Sequence, residues 1–319
     1  MKKLYLVLSL FYIHPTFASF EEWKISYANK ASKLGIPKSF VLEQLKDVKE
    51  NLDVVKFDQN QITSSTTADY KSFIERWSRN NPSRVERAIK VLKENYELLD
   101  KVEKKFKVDK EVIVAIWGTE TLFGDITGNY DIVESLASLA YEGRRRKFFE
   151  IQLNATLRLI YKGHVTRDLL KGSWAGATGQ CQFMPSNING FAVDFDGDGK
   201  KDIWTNKGDI FASIASLLKK NGWEYKKSIG SLAYIDKVPE IDYEKYRTVD
   251  DYNQLGFRDI DNNLLKSKLW RARRAKTIPL ANSPIVLRGS NYEAIVKWNN
   301  SSLFAAFNIL LVEGIKKGQ

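Results

Sequence analysis

The sequence predicts a mainly helical α+β fold that contains one small antiparallel sheet. Apolar residues recur at helical spacing through residues 20–107 and again from residue 291 onward. Between residues 226 and 290 the pattern changes to short apolar runs, at 232–235 and 285–287, separated by turn residues. Because the N-terminal and C-terminal helical parts each carry an apolar stripe, we expect them to pack together.

The individual helices are predicted from their periodicity and from the residues at their ends. In the N-terminal part they occupy residues 20–34, 39–48, 68–79 and 82–106. The next helix runs from Asp109, its predicted N-cap, to Gly124, its predicted C-cap. A long helix follows around residues 148–161. Another begins at Asp209, a predicted N-cap, and ends near residue 220.

The first eighteen residues have the pattern of a secretory signal peptide. Lys2 and Lys3 precede an apolar run at 4–13, and small residues precede the predicted cleavage site after Ala18. That run is too short to span a bilayer. The 319-residue chain has a single cysteine, Cys181, so an internal disulfide is excluded. We therefore expect an exported, periplasmic monomer that depends on its hydrophobic core.

The chain is basic, with 50 lysines and arginines, 39 acidic residues and a formal net charge of +11. A basic surface favours anionic partners. Nucleic acid is disfavoured as a partner because the protein is predicted to be exported and its basic residues are dispersed. The remaining expectation is a peripheral association with anionic cell-wall polymer. The alternative is that the charge serves solubility alone.

Glu120 is the candidate catalytic residue. It shares one face of the helix after Asp109 with Ile113, Ile116 and Trp117, one turn before the predicted helix end. An apolar setting and the negative end of the helix dipole both favour the protonated carboxyl group. Such a group is a candidate general acid. The alternative is a glutamate whose carboxylate reaches solvent at the end of a helix.

Other common catalytic centres are excluded by composition. The chain has two histidines, His14 and His164, which excludes a multi-histidine zinc site and makes a histidine-based triad untenable. The segment 173–186 is rich in small residues, which allow a backbone to approach a ligand closely. Ser173, Gln180 and Gln182 add neutral hydrogen-bonding groups there. An ordinary tight loop has the same composition.

A segment rich in aspartate and glycine resembles a calcium-binding loop of the EF-hand type. Asp194, Asp196 and Asp198 fall at the first three ligand positions, Lys200 would supply a carbonyl, and Asp202 follows. The position of the bidentate acid is taken by Thr205, so we expect weak binding and a structural role for any calcium. A turn held by aspartates that bond their own backbone is the alternative.

Together these segments resemble the MltB-type, Slt35-like lytic murein transglycosylases of glycoside hydrolase family 103. The resemblance depends on the order and spacing of residues 118–124, 143–149, 173–186, 192–199 and 292–299. It implies a lysozyme-like catalytic core at 109–225, a helical domain at 19–108 and 291–319, and a small β domain at 226–290.

The resemblance also implies a reaction. The substrate would be the glycan strand of peptidoglycan, cut between N-acetylmuramic acid and N-acetylglucosamine to leave a 1,6-anhydro product. Glu120 would be the only catalytic carboxylate, first as acid and then as base, and no cofactor would be required. Two rivals stay open: a muramidase that uses water, and a non-catalytic wall-binding or calcium-binding module.

The resemblance implies six substrate-binding residues besides Glu120: Ser173, Gln182, Asn299, Trp298, Arg144 and Arg145. The glutamine and the asparagine would contact the sugar near the cut, and the serine would lie close to Glu120. The tryptophan would present an aromatic surface to a sugar. The two arginines would hold lactyl or peptide carboxylates, unless they are only a solvated run of charge.

Overall fold

The structure of the chain is a computed structural model, and helices form most of it. It describes residues 19–60, 82–259, 261–266 and 285–318, together with residues 17, 72, 273 and 274. The predicted signal peptide, apart from residue 17, and the predicted helix at 68–79, apart from residue 72, lie outside the described residues. No helix in the described ranges is both long and apolar enough to cross a membrane.

The elements follow one another in an order that agrees with the predicted fold class. In chain order the helices are α1 (Phe20–Ser32), α2 (Lys38–Leu45), α3 (Leu52–Gln59), α4 (Pro82–Glu94), α5 (Tyr96–Phe106), α6 (Lys110–Thr121), α7 (Ile132–Glu142), α8 (Arg146–Tyr161), α9 (Pro185–Phe191), α10 (Lys207–Lys220), α11 (Val249–Gln254), α12 (Tyr292–Trp298) and α13 (Ser302–Lys317). The strands are β1 (Tyr130–Asp131), β2 (Lys171–Gly172), β3 (Gly230–Ala233), β4 (Arg273–Arg274) and β5 (Ile285–Arg288).

Two features of the N-terminal helices differ from the prediction. The predicted helix at 82–106 is divided at Asn95, whose side-chain amide donates to the carbonyl oxygen of Val91 at 2.8 Å. Such local bonding by asparagine competes with the regular helix. The other difference is α3, which lies in none of the predicted segments. Asn51 caps it by accepting hydrogen bonds from the backbone N–H groups of Asp53 and Val54.

The predicted small antiparallel sheet is present, with the strand order β3-β5-β4. Leu232 pairs with Val286, as the two apolar runs predict. The same region also contains α11, which the prediction lacks. Its N-terminus has a capping box in which the side chains of Thr248 and Asp251 bond each other's backbone N–H groups. A second, two-stranded sheet pairs β1 with β2.

The hydrophobic core lies mainly between the helices. One cluster of buried side chains extends from Trp23 in α1 through α6 to Ile315 in α13. A smaller cluster, including Tyr252 and Phe257, lies under the sheet. The predicted helical domain and the predicted catalytic core therefore share one core, and the predicted boundaries between them stay a prediction.

Helix α6 is the central element of the larger core. It packs against α4, α5, α10 and α13. Helix α4 also packs directly against α13, which confirms that the N-terminal and C-terminal helical parts pack together. Because α6 is surrounded, its side chains are buried from Val112 to Trp117, and the residue at its end faces a largely apolar environment.

Candidate active site

Glu120 lies in the last turn of α6. At the other end of the helix Asp109 is the N-cap, but its side chain makes no capping bond. Its carboxylate accepts instead from the indole N–H of Trp223 at 3.1 Å. The helix thus begins at a buried polar contact and ends at the candidate acid.

The predicted C-cap at Gly124 is wrong. The helix ends at Thr121, and Leu122, Phe123 and Gly124 all have left-handed backbone, with φ values of 51°, 61° and 91°. The ring of Phe123 folds back over Gly118, where an added Cβ would lie 2.5 Å from the ring. The glycine that permits this helix end is therefore Gly118, because it leaves space for the phenylalanine.

The carboxyl group of Glu120 is half-buried, and its pKa is raised. Burial raises its pKa from 4.5 to about 7, and a hydrogen bond from Trp298 opposes this rise. The indole Nε1 of Trp298 donates to Oε1 of Glu120 at 2.7 Å. A carboxyl group with a pKa near neutrality can exist in both protonation states during a reaction, which suits a general acid that later acts as a base.

Gln180 ties the end of α6 to the loop 173–186. Its side-chain oxygen accepts from the indole N–H of Trp117 at 2.9 Å, and its side-chain amide donates to the carbonyl oxygen of Trp204 at 2.8 Å. The hydroxyl of Thr121 donates to the backbone carbonyl of Gln180 at 3.0 Å. Gly124 makes this contact possible, since a Cβ there would lie 2.4 Å from the Gln180 side-chain oxygen.

Ser173 and Gln182 lie in that same loop. The Ser173 hydroxyl accepts from the backbone N–H of Ala177 at 3.0 Å, which closes a tight turn. The side-chain amide of Gln182 donates to the carbonyl oxygen of Thr127 at 2.9 Å. Gly128 approaches the backbone at Ser173 so closely that a Cβ would lie 2.9 Å from the Ser173 nitrogen. The segment after Glu120 and the loop are therefore in contact.

Trp298 and Asn299 reach this region from α12. Trp298 is the last residue of the helix and Asn299 is its C-cap. The tryptophan ring packs on Phe183, with ring centroids 5.4 Å apart. The predicted sugar-binding roles of both residues stay predictions, but the structure gives Trp298 a direct contact with Glu120.

Arg144 and Arg145 pair with Asp58 of α3. The Nε of Arg144 donates to the Asp58 carboxylate at 2.8 Å, and Arg145 forms an ion pair with the same carboxylate. Asp58 is only 1% exposed. Neighbouring Phe57 packs on Trp174, with ring centroids 6.1 Å apart, so α3 bridges the two arginines and the Ser173 loop. The arginines are thus more than a solvated run of charge, and their role in binding carboxylates stays a prediction.

The carboxylates that follow Glu120 in sequence are engaged elsewhere. Asp125 accepts from Arg87 at 2.5 Å on the surface. Asp131 caps α7 and pairs with Arg167 at 3.1 Å. Within the described residues, these contacts hold both groups in other roles, which favours a mechanism with a single acid.

In the aspartate-rich loop, three of the carboxylates converge: those of Asp194, Asp196 and Asp209, whose ligand atoms lie within 4.8 Å of one another. Asp209 is not the predicted N-cap, because Asn206 caps α10. Its buried carboxylate instead accepts from the backbone N–H groups of Phe195 and Asp202, both at 2.7 Å. Burial raises the pKa of Asp209 to about 6, and the charges of Asp196 and Asp194 add to the rise.

The other predicted calcium ligands hold the loop itself. Asp198 accepts from the backbone N–H of Lys200 at 2.8 Å, and Asp202 accepts from the backbone N–H of Trp204 at 2.9 Å. Three converging carboxylates are the oxygen ligands that calcium prefers, so the loop fits a calcium ion. The three converging carboxylates include Asp209, which is not among the predicted ligands, because its carboxylate turns toward Asp194 and Asp196.

The sequence matches a known protein family. The profile of the Transglycosylase SLT domain family matches residues 19–312. The chain belongs to this family. Membrane-bound lytic murein transglycosylase B of Escherichia coli (strain K12) is 34% identical over 143 residues, which are 44% of this chain and 39% of that protein. The chain thus matches about two fifths of the length of this curated relative.

Solved structures of related transglycosylases agree over nearly the whole chain. SltB3 from Pseudomonas aeruginosa, in complex with NAG-anhNAM-pentapeptide, is 33% identical with a TM-score of 0.81, and the match covers 94% of this chain and 80% of that one. Escherichia coli Slt35 in complex with calcium, 23% identical, shares the fold with a TM-score of 0.74 and a coverage of 92% of both chains. The predicted resemblance and the lysozyme-like, mainly helical fold class are confirmed.

Sequence reasoning missed one residue of the candidate site, Asp58, and two contacts, those of Asp209 and of Trp298. Asp58 gave no local signal, since its partners follow 86 and 87 positions later. The hydrogen bonds that the Asp209 carboxylate accepts from the aspartate-rich loop were missed because an aspartate near a helix start is normally interpreted as an N-cap. The contact of Trp298 with Glu120 joins residues 178 positions apart, so only the folded chain reveals it.

Proposed function

We propose that this transglycosylase family member is an exported enzyme that cleaves the β-1,4 bond between N-acetylmuramic acid and N-acetylglucosamine in peptidoglycan. The product would end in 1,6-anhydro-N-acetylmuramic acid. The observation that carries the proposal is the half-buried carboxyl group of Glu120, which accepts a hydrogen bond from Trp298 and whose pKa of about 7 suits both an acid and a base.

The reaction needs one carboxyl group and no net water. Protonated Glu120 donates its proton to the glycosidic oxygen, and the bond from that oxygen to C1 of the muramic acid breaks. The charged Glu120 then takes the proton of the C6 hydroxyl while the C6 oxygen bonds to C1. A glycosidase that uses water or a covalent intermediate needs a second carboxylate, and Asp125 and Asp131 are engaged elsewhere.

The similarity to SltB3 supports the choice of substrate. That protein has been solved with NAG-anhNAM-pentapeptide and with NAG-NAM-pentapeptide, and it is 33% identical to this chain. We assign sugar contacts in this chain to Ser173, Gln182 and Asn299. The two arginines on Asp58 are assigned to the carboxylates of the strand.

Product mass tests the reaction directly. Purified sacculi digested with the wild-type protein should release fragments lighter by one water than those of a muramidase, as measured by mass spectrometry. Reducing-end muramic acid in place of the anhydro product would contradict the proposal and indicate hydrolysis.

Glu120→Gln tests the assigned acid. The variant should lose wall lysis by about 10²–10⁴-fold, because an amide transfers no proton, and it should still bind sacculi. Asp125→Asn is the matched control, since it makes the same chemical change five positions later on an exposed side chain and should lyse normally. Unchanged lysis by Glu120→Gln would remove Glu120 from its role, and binding without any lysis by the wild type would indicate a non-catalytic module.

We also propose a structural calcium ion in the loop, held by Asp194, Asp196 and Asp209. Millimolar calcium should raise the unfolding temperature at pH 7, because an ion that binds only the folded state stabilises it. The increment should fade below about pH 6 as Asp209 becomes protonated, and Asp196→Asn should reduce it. Equal unfolding temperatures with calcium and with chelator would contradict this proposal.

A further inference from the structure

The hydrogen bond between Trp298 and Glu120 has a fixed direction. An indole N–H only donates, whereas a tyrosine or serine hydroxyl both donates and accepts. Oε1 of Glu120, at 2.7 Å from Nε1, must therefore be the acceptor in both protonation states of the carboxyl group. No other described residue donates to Glu120, so the two carboxyl oxygens have different surroundings.

We propose that Trp298 is a positioning residue for proton transfer, whose indole N–H holds Oε1 as an acceptor and so leaves the transferable proton on Oε2. This inference rests on the proposed role of Glu120. The carbonyl oxygen of a carboxylic acid accepts a hydrogen bond better than its hydroxyl oxygen, so the indole selects one of the two protonated forms. A hydroxyl in the same place could donate in the same way, but it could also rotate to accept from the acid, so its selection would be weaker.

The position of the indole is itself constrained. Its ring packs on Phe183 of the loop 173–186, with centroids 5.4 Å apart. The helix that carries it is anchored beside α10, where the side-chain amide of Asn221 donates to the carbonyl oxygen of Ala294 at 3.3 Å. The same helix also packs against α13. The donor is thus held by contacts on two sides, as a pre-organised site requires.

The same hydrogen bond serves the second half of the reaction. After Glu120 has given up its proton, the indole N–H stabilises the negative charge, which burial alone would disfavour. The charged form then persists long enough to act as the base toward the C6 hydroxyl. Trp298 thus acts on both steps through Glu120.

Few other charged groups face Glu120 within the described residues. Cys181 is fully buried, and burial raises the pKa of its thiol well above the usual range, so it stays neutral. On α4, Arg84 and Arg87 lie over the rings of Phe307 and Phe123. Glu103 of α5 accepts from Lys110 at the other end of α6, and Glu313 of α13 lines a pocket at that same end, together with Asp109. On α10, the carboxylate of Asp209 is turned into the aspartate-rich loop.

The test is the pH dependence of wall lysis at low substrate concentration between about pH 5 and pH 9. Wild-type activity should fall above about pH 7 as Glu120 loses its proton. Trp298→Phe keeps an aromatic ring but has no donor, so the decline should move to higher pH. The ratio of the rate at pH 8 to that at pH 6 should then rise roughly five- to tenfold.

Two further variants separate donation from packing. Trp298→Tyr, which restores a donor, should return the decline toward its wild-type position. Trp23→Phe is the matched control, because Trp23 is fully buried in α1 and its indole N–H has no hydrogen-bond partner. It should lower stability without moving the pH profile. If Trp298→Phe does not fold, Trp298→Met supplies the same loss of the donor.

The possible outcomes decide the question. An unmoved decline in Trp298→Phe, or equal shifts in the Phe and Tyr variants, would overturn the positioning role and indicate packing alone. A wild-type protein that releases only hydrolysed products would refute the transglycosylase proposal separately. In that case, a shifted decline in Trp298→Phe would still show that the indole of Trp298 donates to Glu120 and lowers its pKa.

Discussion

At the scale of single residues, the site depends on a carboxyl group that folding makes less acidic. Burial raises the pKa of Glu120 from 4.5 to about 7. The folded protein therefore retains a proton in a pH range where the unfolded chain has lost it. By linkage, the free energy of unfolding contributed by this group is fully present below about pH 4.5 and is lost as the pH rises toward 7.

Glu120→Gln should therefore stabilise the protein at alkaline pH. The amide is neutral at every pH and still accepts from the indole of Trp298. We expect the free energy of unfolding to exceed that of the wild type by about 1–3 kcal/mol at pH 8 and to equal it near pH 4. Urea unfolding at the two pH values measures the difference. Equal stabilities at both would contradict the perturbed pKa.

The sequence predicts candidate residues for the site but not the contacts between them. Glu120 is a candidate because the helical spacing of Ile113, Ile116 and Trp117 places it on their apolar face. The pairing of Asp58 with two arginines, and of Trp298 with Glu120, depends on how distant segments pack. Local sequence patterns do not predict contacts between residues that are distant in the chain.

At the scale of elements, the end of α6 is held by its contact with Gln180. Three successive left-handed residues turn the chain sharply after Thr121. Periodicity predicted this helix but misplaced its end, since the backbone there is decided by the packing of Phe123 on Gly118. The break at Asn95 and the cap at Asn206 were missed for a different reason, because side-chain hydrogen bonds decide them.

Gly124→Ala should weaken this helix end. Its φ of 91° is unfavourable for alanine, and the new Cβ would lie 2.4 Å from the side-chain oxygen of Gln180. Gly222→Ala is the matched control, with a φ of 99° and open space around the new Cβ. We expect about 1 kcal/mol of destabilisation in the control and about 2–4 kcal/mol in Gly124→Ala. If urea unfolding gave equal destabilisation for the two variants, the side chain of Gln180 would have moved away from the new Cβ without a measurable loss of free energy.

At the scale of the whole molecule, the chain combines a neutral-pH acid with a net charge of +11. Peptidoglycan, the proposed substrate, carries anionic groups, and long-range attraction would concentrate a basic protein near them. This attraction is independent of the chemistry at Glu120. Binding and cleavage should therefore respond differently to ionic strength.

Binding to sacculi should weaken as salt rises. With Glu120→Gln, which does not consume the substrate, the bound fraction in a sedimentation assay should fall several-fold between about 0.05 M and 0.5 M sodium chloride, because salt screens exposed charges. Cleavage of a short, soluble glycan fragment by the wild type should change much less. If the bound fraction stayed the same at all salt concentrations, charge attraction would not be what attaches the protein to sacculi.

The contact between Glu120 and Trp298 also bears on how the polypeptide is made. Translation delivers the glutamate 178 positions before its indole partner. A nascent chain on the ribosome, or a product of a premature stop codon before position 298, therefore lacks the group that orients the acid. By the proposed mechanism, an acid oriented for proton transfer can therefore form only after position 298 has been translated.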